Sequence, residues 1–234
     1  GLEAGRSHRN LRPARNRSRL RWSAMSDAEF FFDPVCPWAW ITSRWVKEVQ
    51  SQRPYEVSWK FISLRIVNEA RGYGESSQYE QIHNVGLHTL RVASAARAAG
   101  GNAAVDAYYS RLGRALHNEG NREMLVGSPT EFVTRVLSEA GLPTDLAAAL
   151  DDTTHDELIR HETETALERT GRDVGTPIIT FSPNTPQAAS LFGPVVPKIP
   201  RGDEALKLWD AVVTIAGSGV AEIKRSLRAA PQFD

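Results

Sequence analysis

The chain has 234 residues, 41% of them hydrophobic, with 28 basic and 28 acidic residues and a formal net charge of zero. A chain of this size can bury a full core, which excludes a peptide scaffold and is typical of a globular protein. A single cysteine cannot form an intramolecular disulfide, so we expect a reducing, cytoplasmic setting. No stretch approaches the roughly 20 apolar residues of a membrane helix, and the N-terminus lacks the apolar run of a secretory signal.

Residues 1–24 carry seven arginines and one acidic residue, Glu3, so the rest of the chain is mildly acidic. Arginine-rich arms can bind phosphate through counterion release, which would indicate a nucleic-acid or membrane tether. The segment has no helical period, and the first patterned segment follows Met25 directly. We therefore expect residues 1–24 to be a disordered extension before a start at Met25, with no nucleic-acid or membrane partner.

The first patterned segment predicts a βαβ unit. Residues 29–33 are a short, aromatic-rich run that favours a strand. Pro37 suits the first turn of a helix, and apolar residues then recur at helical spacing to about Gln50. Residues 55–61 alternate as in a half-buried strand, so a right-handed crossover is the expected connection.

Helical patterns follow, with no strand predicted among them. Gly100 and Gly101 are expected to stop the first helix, and Asn102 to cap the second. The predicted helices cover residues 78–99, 102 to about 117, 129 to about 140, 143 to about 150, and 154 to about 170. This run predicts a helical subdomain inserted into another fold.

Strand patterns return at residues 175–181 and 189–192, and a last helix is predicted from about Gly202 to Gly217. The order βαβ, helical block, ββα predicts an α/β protein with a thioredoxin-like fold and an inserted all-helical subdomain. The predicted domains are the extension at 1–24, a discontinuous thioredoxin-like domain at 26–63 and 172–234, and a helical insertion at 64–171.

Cys36 follows the first strand and directly precedes Pro37 and Trp38. Unpaired N–H groups and the helix dipole at a helix N-terminus stabilise a thiolate, which lowers the thiol pKa from its ordinary value of about 8.5. A lone cysteine is more often an inert buried residue, but this context predicts a reactive thiol with a lowered pKa. Ala39 stands where a dithiol enzyme has its second cysteine, so an external thiol must resolve any mixed disulfide.

Several motifs resemble known families. DPVCPWAW, followed much later by VGTP, resembles thiol oxidoreductases of the DsbA type, which share a fold with kappa-class glutathione transferases and 2-hydroxychromene-2-carboxylate isomerases. Longer stretches resemble the mycothiol-dependent nitroreductase family of actinobacteria: FFDPVCPWAWITSRW at 31–45, LHNEGN at 116–121, DVGTP at 173–177, FGPVVPKIPRGDEALKLWD at 192–210 and PQFD at 231–234. The similarity runs from about Asp27 to Asp234.

The resemblance implies a set of site residues around Cys36. Cys36 would be the redox-active residue, and Pro37 and Trp38 would contact the cofactor beside its sulfur. His117 would act near the thiolate, because an imidazole there could keep the sulfur ionised or donate a proton to a reduced substrate. By residue type alone, Trp38 can equally be a core aromatic, and His117 a structural residue at a helix end.

The same resemblance implies further contacts. Asn68 and Tyr79 would contact the cofactor thiol and the substrate, although either side chain can simply brace its own segment. Thr176 and Pro177 would form a cis peptide that faces Cys36 and leaves the Thr176 backbone free to pair with an extended substrate. An ordinary strand-opening proline is the alternative.

The resemblance supplies mycothiol as the thiol co-substrate, whereas the residues themselves do not distinguish it from glutathione or coenzyme A. We predict no bound metal, because the remaining histidines lack metal-ligand spacing, and no tightly bound flavin, because no glycine-rich phosphate loop follows a strand. The expected partners are a low-molecular-weight thiol and a disulfide or small-molecule substrate. A monomer and a homodimer both remain open.

Three functions fit these residues. The first is a cytoplasmic thiol-dependent oxidoreductase that uses mycothiol to reduce disulfides or electrophilic small molecules, including nitroaromatic compounds. The second is a kappa-class-like thiol transferase or a 2-hydroxychromene-2-carboxylate isomerase-like enzyme, in which Cys36 is the hydrogen-bond partner of the cofactor thiol. The third is a non-catalytic thioredoxin-like binding module. We favour the first.

Overall fold

The computed structural model describes residues 26–225 and 227–234, so the predicted extension at 1–24 lies outside the described residues. The strands are β1 (Ala28–Phe32), β2 (Val57–Phe61), β3 (Ile178–Phe181) and β4 (Ala189–Phe192). The α-helices are α1 (Pro37–Gln52), α2 (Leu64–Val67), α3 (Ser77–Gly113), α4 (Arg122–Gly127), α5 (Pro129–Glu139), α6 (Asp156–Thr170) and α7 (Gly202–Gly217). A π-helical turn covers Arg114–Asn118, and 3-10 turns cover Thr144–Asp151 and Thr153–His155.

The four strands form one mixed sheet in the order β2-β1-β3-β4. β1 pairs in parallel with β2 and antiparallel with β3, which in turn pairs antiparallel with β4. Phe30 and Phe32 of β1 belong to the main core on one face, while Phe31 packs in a smaller core with Ala166 and Leu167 of α6 on the other. β1 is covered on both faces, which is why its aromatic run is buried throughout.

α3 contains the break that was predicted at two glycines. Gly100 and Gly101 have non-helical backbone angles, with φ of −143° and 68°, so α3 consists of two helical segments that meet at a kink. Asn102, predicted to cap a separate helix, instead accepts a hydrogen bond from the Trp59 N–H and donates one to the Val57 carbonyl, both at 2.8 Å. The amide side chain satisfies backbone groups of β2, and it ties the kink to the sheet.

The remaining differences concern short elements. The alanine-rich segment predicted as a helix from 143 is a 3-10 turn, and α6 begins at Asp156 after another 3-10 turn. α2 and α4 were not predicted, because four to six residues are too few to show a helical period. Within the part of the chain that the structure describes, the helices all lack the combined length and apolarity that crossing a membrane demands.

Candidate functional site

Cys36 is the N-cap residue of α1, and Pro37 occupies the first turn of that helix. Proline is suited to this position because its missing N–H would have no helical partner there. The Cys36 sulfur accepts a hydrogen bond from the Ala39 N–H at 3.5 Å, although the residue exposes only 6% of its surface. The local sequence therefore places the sulfur at the helix N-terminus, as predicted, but inside the protein.

The turn before β3 brings a second segment to this sulfur. The Cys36 thiol donates a hydrogen bond to the Thr176 carbonyl at 3.5 Å, and the Thr176–Pro177 peptide bond is cis. Thr176 is buried, and its hydroxyl donates to the carbonyl of Phe31 on β1 at 3.2 Å. Because a carbonyl oxygen accepts but does not donate, this geometry fits a protonated thiol rather than a thiolate.

The predicted lowering of the Cys36 pKa is wrong for this structure. Burial raises the pKa of the Cys36 thiol to about 12, because a charged sulfur would lose its hydration. The N–H groups of Ala39 and Trp38 act in the opposite direction, as the helix argument anticipated, while the Asp33 carboxyl raises this pKa further. The helix N-terminus is present, but burial outweighs it and Cys36 is held as a neutral thiol.

Asp33 is a fully buried carboxyl that the sequence argument did not single out. One of its oxygens accepts a hydrogen bond from the Val35 N–H at 3.1 Å, and the other accepts one from the Leu64 N–H at 2.8 Å. Burial raises the pKa of Asp33 to about 7, although both hydrogen bonds lower it. Asp33 thus joins the Cys36 loop to the start of α2. The available signal was an acidic residue directly after an apolar strand.

His117 lies in the π-helical turn, and its Nε2 atom is 2.9 Å from the Pro34 carbonyl in the Cys36 loop. The carbonyl can only accept, so Nε2 carries the proton of the neutral ring. Burial lowers the pKa of His117 to about 4, the Pro34 hydrogen bond raises it, and the charge of Arg122 lowers it again. His117 is therefore neutral at physiological pH, so it brings no positive charge to the Cys36 sulfur, and its part in proton transfer stays a prediction.

Trp40, which the sequence analysis did not assign to the site, organises the surroundings of His117. Its ring stacks on the His117 ring at a centroid distance of 6.0 Å, and its Nε1–H donates to the Asn118 side-chain oxygen at 3.0 Å. The Arg44 guanidinium lies over the Trp40 ring, 4.2 Å from the ring centroid. Trp40 falls one helical turn after Cys36, and that spacing was the only sequence signal for its role.

The side chains of the other predicted residues contact groups other than the Cys36 sulfur. Trp38 is half-buried, and its ring centroid lies 6.0 Å from the Arg228 guanidinium. Asn68 donates its side-chain amide to the Leu64 carbonyl at 2.7 Å, which closes the short helix α2. Tyr79 is 63% exposed and its ring lies 6.2 Å from that of His83. Cofactor contacts by Asn68 and Tyr79 stay a prediction.

Within residues 26–225 and 227–234, histidine, cysteine and carboxylate side chains nowhere gather in a group of three or more that could hold a metal ion. The site described above consists of a thiol, a neutral imidazole and a buried carboxyl. These groups suit proton transfer and thiol–disulfide exchange.

The rate of Cys36 alkylation by iodoacetamide is expected to rise continuously from about pH 7 to about pH 10, because a thiol with a raised pKa gains thiolate throughout that range. Intact-mass time courses at each pH would measure it. Cys36→Ser protein controls for alkylation of other groups. A plateau below about pH 8.5 would contradict the prediction and restore the thiolate expected from the helix N-terminus alone.

A lone cysteine at the start of α1, a Thr-Pro turn against it and a helical block inside a βαβ and ββα frame together define a protein of the thioredoxin-like fold with a helical insertion. The structure is similar to the cytosolic disulfide reductase DsbM from Pseudomonas aeruginosa, with a TM-score of 0.50 over 81% of this chain and 99% of that chain at 16% identity. This likeness confirms the predicted thioredoxin-like fold with a helical insertion.

Sequence comparison then gives the family. The family Rv2466c-like, described as mycothiol-dependent nitroreductase Rv2466c, matches residues 35–225. The uncharacterized protein Rv2286c of Mycobacterium tuberculosis (strain H37Rv) is 32% identical over 197 residues, which cover 82% of this chain and 78% of that protein. The chain belongs to the Rv2466c-like family, and it is an oxidoreductase of the thioredoxin fold.

Proposed function

We propose that the protein is a cytoplasmic, mycothiol-dependent reductase in which Cys36 is the single redox-active residue. The observation that carries this proposal is the position of the Cys36 sulfur, at the N-terminus of α1 and 3.5 Å from the Thr176 carbonyl. Membership of a family described as mycothiol-dependent nitroreductases supports mycothiol as the thiol. Disulfides and nitroaromatic or other electrophilic small molecules are the proposed substrates.

The electrons come from two molecules of the cofactor thiol. The Cys36 thiolate attacks a substrate disulfide, forms a mixed disulfide and releases one substrate thiol, which takes up a proton. A first cofactor thiol attacks the Cys36 sulfur and releases the second substrate thiol. A second cofactor thiol then attacks the cofactor sulfur, which regenerates Cys36 and forms the cofactor disulfide. Reduction of a nitro group to a nitroso group would likewise consume two thiols and release one water.

Because residue 39 is alanine, the thiol that resolves a disulfide at Cys36 must come from another molecule. A methyl side chain one helical turn into α1 cannot attack a disulfide at Cys36, so each cycle needs a thiol from solution. Cys36 is also buried, so a bulky thiol reaches it only when the residues over it move aside. Contact with that thiol would bring water or polar groups to the sulfur, and this would lower the cost of ionising it.

A pocket of about 260 Å³ is our candidate for the polar part of the cofactor. Gln78 and Gln81 line it from the start of α3, and Arg122 lines it from α4. Arg122 also acts electrostatically on His117, and this residue is what links the pocket to the site in our proposal. Amide and guanidinium groups can bind the hydroxyl and carbonyl groups of a sugar-linked thiol. Tyr79, predicted from the sequence to contact the cofactor, is the residue next to Gln78.

The proposal is tested by intact mass. Native protein is incubated with mycothiol disulfide and with glutathione disulfide in parallel, and one adduct on Cys36 is expected, formed faster with mycothiol. Cys36→Ser protein should form none, and added mycothiol should remove the adduct from the native protein. Absence of any adduct on native Cys36, combined with retained activity in the Cys36→Ser protein, would overturn the proposal.

One observation favours a second candidate. Cys36 is a protonated hydrogen-bond donor in this structure, and a neutral donor is what a kappa-class-like transferase or an isomerase would need to hold a cofactor thiolate. In that case the cofactor sulfur attacks the substrate, and serine can replace Cys36. The Cys36→Ser protein would then keep its activity, whereas it loses all activity if Cys36 itself exchanges disulfides.

A further inference from the structure

The His117 ring is enclosed by two aromatic rings from distant parts of the chain. Trp40 of α1 stacks on it with an interplanar angle of 24°, and Phe233 lies 5.6 Å away, centroid to centroid, with an angle of 35°. Trp40 is almost fully buried, while Phe233 is partly exposed near the last residue of the sequence. Phe233 therefore supplies the outer contact of the imidazole.

Asn118, the residue after His117, joins these two neighbours. Its side-chain oxygen accepts the Trp40 Nε1–H at 3.0 Å, and its side-chain N–H donates to the Phe233 carbonyl at 2.6 Å. An amide can make both bonds at once because it carries an acceptor and donors on one planar group. The same side chain thus fixes the residues in contact with His117.

His117 and Asn118 both lie in the π-helical turn, which explains where their side chains point. Single π turns inside helices are frequent at functional sites, because the extra residue changes the direction of neighbouring side chains. Here His117 bonds the Pro34 carbonyl in the Cys36 loop, while Asn118 bonds Trp40. Of these two consecutive residues, His117 therefore contacts the loop before α1 and Asn118 contacts α1 itself.

The segment 227–234 has its own anchors. The Gln232 N–H donates to the Pro197 carbonyl at 2.7 Å, and Arg228 lies 6.0 Å from the ring of Trp38, two residues after Cys36. These contacts place the segment along the site. It has no regular secondary structure, so a few such bonds hold it in place.

We propose that Asn118 and Phe233 are positioning residues of the active site, which hold the His117 imidazole as the neutral Nε2–H tautomer beside the Cys36 loop. This inference rests on the proposed function, in which Cys36 undergoes disulfide exchange in the loop that His117 bonds through the Pro34 carbonyl. Arg122 of α4 is the charged group that acts on His117, and Asp33 lies in the same loop as its Pro34 partner. Neither group is altered by the variants below.

The test compares Asn118→Ala and Phe233→Ala with the controls Asn121→Ala and Gln232→Ala. Asn121 lies three residues beyond Asn118, and its side chain bonds Glu119 at 3.3 Å. Gln232→Ala keeps the backbone hydrogen bond to Pro197, because only the side chain changes. The controls therefore alter the stretch just after the π-helical turn and the segment 227–234, and they leave Trp40, Asn118 and Phe233 unchanged.

The first readout is the tautomer and pKa of His117 from ¹H–¹⁵N correlation spectra across pH, assigned with a His117→Gln protein. Both site variants should raise the pKa of His117 by at least about one unit from its value near 4, and should mix its tautomers, because solvent then reaches the ring. Both controls should leave the spectrum unchanged. The second readout is the rate of mixed-disulfide formation at Cys36, which should fall on the order of tenfold in the site variants.

An unchanged His117 titration in folded Asn118→Ala and Phe233→Ala proteins would overturn the inference, even if native protein forms the Cys36 adduct. Equal effects in the controls would also overturn it, since they would indicate a general loss of structure. If native protein forms no adduct, the proposed function fails, while the titration still decides whether these residues position His117. The two failures are therefore separate results.

Discussion

Asn variants of Asp33 and His117 are expected to change the pH dependence of stability in opposite directions, each by several kcal/mol. Asp33 is buried and His117 is partly buried, and both have a folded-state pKa far from the ordinary value. Folding strengthens proton binding at Asp33, because its pKa is raised, and weakens proton binding at His117, because its pKa is lowered. In the native protein the two contributions therefore largely offset each other between about pH 4 and about pH 7.

For Asp33, the folded state keeps a proton that the unfolded state has lost. The pKa is raised from 3.8 to about 7, so above pH 3.8 the unfolded state binds fewer protons and stability falls with rising pH until about 7. The full cost is ~4 kcal/mol and is present above pH 7. Asp33→Asn removes this loss, so the stability of the variant should rise with pH across the window.

For His117, the unfolded state binds a proton that the folded state rejects. The pKa is lowered from 6.5 to about 4, so the cost is fully present below pH 4 and disappears as the pH rises to 6.5. This contribution is ~3 kcal/mol. His117→Asn removes it, and the stability of that variant should fall more steeply with rising pH than that of the native protein, because His117 no longer offsets the contribution of Asp33.

Urea unfolding followed by circular dichroism at about six pH values between about 4 and 8 would measure both slopes. Each slope is compared with that of the native protein, since His83 and His88 also have lowered pKa values and contribute equally to all three proteins. Asn at position 33 loses one acceptor for two N–H groups, which lowers stability at every pH but leaves the slope. Parallel profiles for the three proteins would contradict the prediction.

Gly113→Ala is expected to destabilise the fold by ~3 kcal/mol, at the upper end of the range for an overpacked core. A Cβ atom at Gly113 would lie 2.2 Å from the Trp40 ring, closer than any real contact. Trp40 is 3% exposed and also contacts His117 and Asn118, so it cannot move without disturbing the site. Disulfide exchange at Cys36 should fall together with stability.

Gly127→Ala is the matched control. Gly127 is also helical, at the end of α4, but a Cβ atom there would meet nothing within 4 Å. Alanine favours a helix over glycine by up to about 1 kcal/mol, so this variant should be neutral or slightly more stable. Thermal unfolding of both proteins, with the mass assay at Cys36, would check the pair. Equal stability of the two variants would mean that Gly113 is not needed for packing against Trp40.

Much of the fold could be predicted from the chain because its signals are local. The bounds of β4 and α7 were predicted, and Pro37 marked the start of α1. Proline narrows and glycine widens the range of backbone dihedral angles at its own position, so these effects do not depend on distant residues. The order of strands and helices then led to the thioredoxin-like fold. The break at Gly100 and Gly101 was predicted, whereas the hydrogen bond that ties Asn102 to Trp59 of β2 was not, because it joins residues 43 positions apart.

Some features of the candidate site also follow from the local sequence, and others depend on tertiary packing. The sequence by itself determined that one cysteine stands at a helix N-terminus and that Ala39 cannot resolve its disulfide. Only the tertiary structure decided the charge states. Burial depends on how many distant segments cover a group. It raises the pKa of Cys36 against the local helix effect, and it lowers the pKa of His117. Tertiary packing also brought Phe233 to His117 across 115 intervening residues, a contact that no local pattern encodes.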